Sequence, residues 1–117
     1  MIDEIPALGI ERDKLIAKLK GWDDINVSYD IGVYRLLSSY QKEHGKWSTS
    51  EFDAFSLFKE IASWCDKNQY SISYNIENNI HYVKVYNDRK MLIFVRSKSF
   101  CESITIAWLK WRQEIND

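Results

Sequence analysis

From Trp47 to Cys65 the apolar positions recur at helical spacing. Ala54, Leu57, Phe58, Ile61 and Cys65 share one side, widened by Phe55, Ala62 and Trp64. Asp53, Ser56, Glu60, Ser63 and Lys67 keep the same period on the other side. The pattern predicts a long amphipathic helix whose aromatic underside the rest of the chain must cover. Ser48 and Glu51 have the spacing of a capping box, and Trp47 and Phe52 that of a hydrophobic staple.

After Asn68, a predicted stop, the period changes to two. Tyr70, Ile72, Tyr74 and Ile76 alternate with Ser71, Ser73 and Asn75, which predicts a strand with one polar face. Glu77-Asn78-Asn79 reads as a turn, because Asn tolerates positive φ. Ile80 to Tyr86 forms a second strand, with His81, Val83 and Val85 on one side and Ile80, Tyr82, Lys84 and Tyr86 on the other. A turn at Asn87-Asp88-Arg89-Lys90 leads into Met91 to Val95, apolar on both faces and expected to be covered on both. Ser99 and Glu102 then offer a capping box for a last helix. Its inner stripe is Cys101, Ile104, Ala107, Trp108, Trp111 and Ile115, with Lys110, Arg112 and Gln113 outward. Residues 47–114 thus read α-β-β-β-α, and the short turns require an antiparallel meander of three strands.

Upstream, residues 1–9 hold the sole proline, Pro6, and are expected to be a loose arm. Ile10 to Trp22 predicts a short helix with Ile10, Leu15, Ile16 and Leu19 inward, Arg12, Lys14, Lys18 and Lys20 outward, and Gly21 as terminator. Ile25, Val27, Tyr29, Ile31 and Val33 alternate with polar or small residues, so 25–33 offers a fourth strand. Tyr34-Arg35-Leu36-Leu37 with Tyr40 suggests a short helix ending near Gly45. The expected fold is α+β in one domain spanning 1–117, with 10–46 as an N-terminal helix and irregular segment.

Composition narrows the chemistry. A net charge of −1 from 16 basic and 17 acidic residues disfavours nucleic acid as a partner, since such affinity rests on neutralised phosphates. Aromatic residues reach 15%, with five Trp and seven Tyr, enough for either a ring-rich core or a binding face. Cys65 and Cys101 lie on apolar stripes and read as buried free thiols. No apolar run approaches the ~20 residues of a membrane span, and no signal-peptide h-region opens the chain, so a cytoplasmic location without membrane contact is expected.

No catalytic, cofactor or metal site is expected. His44, Cys65, His81 and Cys101 are scattered, the four glycines are isolated, and the acids Glu51 and Asp53 sit where a helix start favours them. Cys101 falls in a first helical turn, where the macrodipole lowers a thiol pKa, yet still reads as core. That leaves surfaces. Trp108 and Trp111 with Lys110 and Arg112 are either core indoles flanked by solvated charges, which the spacing favours, or an aromatic-basic patch. Tyr74, Tyr82 and Tyr86 either lie under a helix or line an open sheet face; these seven residues are the candidate partner-binding set.

Leu15-Ile16-Ala17, Gly21-Trp22, Trp47-Ser48-Thr49 with Ala54, and Ser103 to Leu109 with Ala107 together resemble, in order, the small phage-encoded ABA-sandwich proteins. The resemblance covers most of the chain except 23–46, where this chain looks longer. It implies phage or prophage origin. Joined to the absence of a catalytic constellation and the wealth of aromatic residues, the expectation is a non-enzymatic binding protein that occupies a surface of a host or phage macromolecule, most simply a protein, and the phage resemblance makes inhibition of a host defence protein one such role. The resemblance carries no catalytic residues. The α-β-β-β-α order also resembles the double-stranded RNA-binding domain, whose last helix needs a lysine cluster at its start. Here only Arg96 and Lys98 precede Phe100, Cys101 and Glu102. A nucleotide or nucleic-acid binding module remains the alternative, and an uncovered sheet face would predict a homodimer.

Overall fold

The computed structural model describes residues 5–115. Helix α1 (Ile10–Leu19) is followed by three short strands, β1 (Asn26–Ser28), β2 (Gly32–Leu36) and β3 (Lys42–His44). Next come α2 (Glu51–Asn68), β4 (Ser71–Glu77), β5 (Ile80–Tyr86), β6 (Met91–Ser97) and α3 (Phe100–Lys110), which widens into a π-turn at Trp111–Ile115. The strands form two separate antiparallel sheets, ordered β1-β2-β3 and β4-β5-β6. The fold is α+β, and its C-terminal half runs α-β-β-β-α.

The meander is pinned by turn chemistry. Asn78 and Asn79 take φ of 54° and 64°, the two consecutive positive values of a type I′ turn, so Glu77 pairs with Ile80 without a bulge. Asn87 Oδ1 accepts the amides of Arg89 and Lys90 and closes the next turn. In this register Val83, Val85, Ile93 and Val95 face the helices and are buried. Phe94 and Arg96 face away, and Phe94 is 46% exposed, while Leu92, beside the register shift at Val85/Tyr86, packs against the core. The expectation that β6 is covered on both faces is therefore corrected: α2 and α3 lie on the same side of the sheet.

Helix α3 is the central element. Cys101, Ile104, Ala107, Trp108 and Trp111 are buried as the stripe predicts, and Ser103, Thr105 and Leu109 on its other faces are buried as well. It is surrounded because the sheet covers one side and α2 another, while Arg12 of α1 reaches its Thr105. Ser99 caps it, accepting the amide of Glu102 at 3.1 Å as expected.

Four local expectations give way to tertiary contacts. Helix α2 is capped by Ser50, which accepts the Asp53 amide at 3.2 Å. Ser48 is instead buried: its amide donates to Asp13 and its hydroxyl to the Gly9 carbonyl. The staple does not form either, since Trp47 turns inward against Trp22, ring centroids 5.4 Å apart, and leaves Phe52 in solvent. Arg12, read as outward, is buried because Nη1 donates to Thr105 Oγ1 and Nε to the Pro6 carbonyl. Leu15, Ile16 and Leu19 do pack inward, while Ile10 is exposed.

The segment 23–46 is neither a fourth strand of the meander nor a helix. Positive φ at Gly32 lets the chain turn back after Ser28, so the alternating stretch splits into β1 and β2, and Tyr34–Leu36 continues as strand. Of the arm, residues 1–4 lie outside the described residues, and Ile5 packs on the core.

Candidate functional site

Three surface features concentrate side chains able to meet a partner. An apolar groove of about 480 Å³ lies where the first turns of α2 meet the β4–β5 hairpin and the start of α3. Phe52 and Phe55 form one wall, Ile76 the other, and Tyr74, His81 and Phe100 the floor. Phe52 is 86% exposed, Ile76 56% and Phe55 45%. The floor is fixed: Tyr74 Oη and His81 Nδ1 share a hydrogen bond of 2.5 Å, and the Phe100 ring meets Tyr74 edge-on at 5.1 Å. Burial, reinforced by the charge of Glu51, raises the Tyr74 pKa, so the phenol stays neutral.

A polar cleft of about 490 Å³ lies between α1, the first sheet and the end of α3. Glu60 organises one side, accepting Trp108 Nε1 at 3.2 Å and pairing with Lys20 at 2.5 Å. The Lys20 ammonium sits 5.8 Å from the Trp108 ring and 5.9 Å from that of Trp47. On the other side Arg35 pairs with Glu43 at 2.6 Å and stacks over Trp22 at 4.6 Å. Arg112 spans the cleft by donating to the Leu19 carbonyl. Lys20 and Arg35 are paired with Glu60 and Glu43, Arg112 is bonded to the Leu19 carbonyl and the indoles are buried, so the cleft reads as the seam joining the N-terminal half to the core.

The outer face of the second sheet is the third feature. It carries Tyr82, Lys84 and Tyr86 of β5 with Phe94 and Arg96 of β6.

The predicted binding residues are thus dispersed. Tyr74 belongs to the groove, and Tyr82 and Tyr86 to the open face. Trp108 is fully buried and Trp111 nearly so, which corrects their candidacy as surface anchors: packing on α2 holds them inside. Arg112 bridges the cleft, and Lys110 lines a depression beside Leu92 and Phe94. Phe52, Phe55, Ile76 and Phe94 lie outside the candidate set that composition and spacing define, yet all four are exposed. In the sequence, Phe52 and Phe55 lie one turn apart, with Phe52 off the stripe through Ala54, Leu57 and Ile61.

Both thiols are buried and free, and burial raises each pKa; at Cys101 this and the nearby acids Glu51, Asp13 and Asp53 outweigh any helix-start effect. Among the described residues no group of three or more His, Cys, Asp or Glu could hold a metal ion, and no helix is long and apolar enough to cross a membrane. Comparisons with family models, curated proteins and solved structures found no match.

Proposed function

We propose that this chain is a non-enzymatic binding protein that occupies a protein surface through the groove walled by Phe52, Phe55 and Ile76. The observation that carries the reading is Phe52 at 86% exposed beside Ile76 at 56%. A phenylalanine and an isoleucine held out of the core on adjacent elements make a contiguous apolar patch of the kind that marks an interaction site. Glu51 rims the groove, and Asp13 and Asp53 act with it on Cys101 nearby. A partner segment with one or two large apolar anchors and basic flanks complements that end of the molecule. The resemblance to phage ABA-sandwich proteins supplies the rest of the proposal: phage or prophage origin, and a host protein, such as a defence protein, blocked by steric occupation.

The test is capture from host lysate with the wild-type chain and a Phe52→Glu/Ile76→Glu variant, followed by calorimetry with the recovered partner. Both positions are exposed, so the variant should melt as the wild type does. The expected result is one partner that binds the wild type and loses affinity at least tenfold for the variant. A partner that binds both equally, or none at all, removes the groove from the function.

A further inference from the structure

The sheet's outer face is independent of the groove and has its own order. Across β5 and β6, Tyr82 stands directly opposite Arg96, and Lys84 directly opposite Phe94. Rings therefore occupy one diagonal of this checkerboard and cations the other. The two rings are roughly parallel, 30° apart in plane with centroids 6.1 Å apart, and Lys84 Nζ lies 5.9 Å from the Phe94 centroid. Tyr86 continues the row along β5. On the flanking strand, Ser73 is paired with Lys84 and Asn75 with Tyr82, neutral groups that donate and accept hydrogen bonds. The face's own acid is Glu77, set at the hairpin end opposite Ile80, and at the β6 edge Glu114 and Lys110 both line the depression beside Phe94, an acid and a base that offset each other.

We propose that this face is a platform for single-stranded nucleic acid, with bases stacking on Tyr82 and Phe94 and phosphates meeting Lys84 and Arg96. Each base offers a π-face to a ring, and the interleaved cations track the backbone between stacked bases. A duplex hides those faces within its own stack. Nor does the chain carry the lysine cluster that duplex recognition asks of its last helix. A second copy fits less well, because apposing two such faces brings Lys84 and Arg96 of each copy together, while the acids Glu77 and Glu114 lie at the hairpin end and at the β6 edge beside Lys110. The near-neutral chain is compatible, since two phosphate contacts predict a shallow salt slope of about −1.4.

The experiment is fluorescence anisotropy of a labelled thymidine dodecamer, the matching uridine dodecamer and a blunt duplex with the full chain at low salt. Expected are dissociation constants of about 1–100 µM for single strands and weaker duplex binding. Phe94→Ala and Tyr82→Ala should each weaken binding about tenfold, with circular dichroism confirming the fold. Lys84→Glu/Arg96→Glu changes only surface charge and should weaken it more than tenfold. Lys18→Glu/Lys67→Glu alters net charge equally, on α1 and α2, and should bind within about twofold of wild type. The proposal is overturned by no anisotropy change at about 100 µM protein, by equal duplex affinity, or by equal losses in the two charge variants. It is also overturned if sedimentation shows a dimer that Phe94→Asp dissociates, which would give the face to a second copy.

Discussion

The Asp13 carboxylate on α1 accepts the backbone amide of Ser48, 35 residues along the chain, at 2.9 Å. This bond takes Ser48 out of the capping role its sequence position suggests and fastens α1 to the entry of α2. It comes with an electrostatic penalty. Burial raises the Asp13 pKa to about 6, and the hydrogen bonds from Ser48 and the charge of Arg12 only partly oppose it. Between the unfolded value near 4 and about 6, the folded state holds a proton that the unfolded state has lost. Stability contributed here is therefore complete below about pH 4 and declines as pH rises through about 6. Asp13→Asn keeps an acceptor for Ser48 and cannot ionise. Urea midpoints from pH 4 to 7 should fall for the wild type relative to Asp13→Asn, by the equivalent of about 1 kcal/mol after allowance for partial solvent screening.

Arg12 and Thr105 form the corresponding tie between α1 and α3, Nη1 to Oγ1 at 3.0 Å with both side chains buried. Thr105 Oγ1 itself donates to the Cys101 carbonyl, so it is fully engaged. Thr105→Val preserves shape but leaves a buried guanidinium N–H without its acceptor, and should lower unfolding free energy by about 1–3 kcal/mol. Arg12→Ala also loses the Pro6 contact and should be at least as damaging. Chemical denaturation of both variants measures this.

Periodicity was enough for the elements whose partners are local. The β4–β5–β6 meander, its Asn-Asn turn, the Ser99 cap, the inner stripe of α3 and that of α2 apart from Phe55, which spacing places underneath and the structure leaves 45% exposed, follow from spacing, because each is decided within about ten residues. What escaped was decided at long range. Ser48 is claimed by Asp13, Arg12 by Thr105, and Trp47 by Trp22. Once Trp47 turns inward, Phe52 has no staple partner and enters solvent, so the groove is a consequence of a contact no local pattern reports. The strands of 23–46 are too short for alternation to separate them from a single longer strand.

Exposure makes opposite forecasts for two aromatic residues. Trp108 is fully buried and bonded to Glu60, so Trp108→Ala should lower stability by about 3–5 kcal/mol, which can unfold a domain of this size. Phe52→Ala should change it by less than about 0.5 kcal/mol. Thermal melts of the pair check whether the molecule keeps its core and contact rings as separate sets.

In the β4–β5 turn, Asn78 and Asn79 both sit in the left-handed region. Asparagine tolerates it; alanine does not, and pays about 1 kcal/mol per residue. Asn78→Ala and Asn79→Ala should each lower the melting midpoint by several degrees, whereas Asn79→Gly, the preferred second residue of this turn, should leave it unchanged or raise it.

Gly45 is required for a steric reason rather than a conformational one. A Cβ built there would lie within the van der Waals envelope of the Trp47 ring, over Cζ3 and Cη2, and 3.1 Å from Cε3. The ring cannot swing clear cheaply, because it is buried against Trp22 and beneath the Lys20 ammonium. Its backbone is held too, the Gly45 amide donating to the Val33 carbonyl at 2.8 Å. Gly45→Ala must therefore displace the indole or strip that bond, and should lower stability by about 1–3 kcal/mol. If the indole is what yields, its near-ultraviolet circular dichroism changes while Gly21→Ala, where a Cβ meets nothing within 4 Å, leaves that signal intact despite the strain at φ 87°. Equal spectra for the two variants would show that Trp47 is not wedged against this backbone.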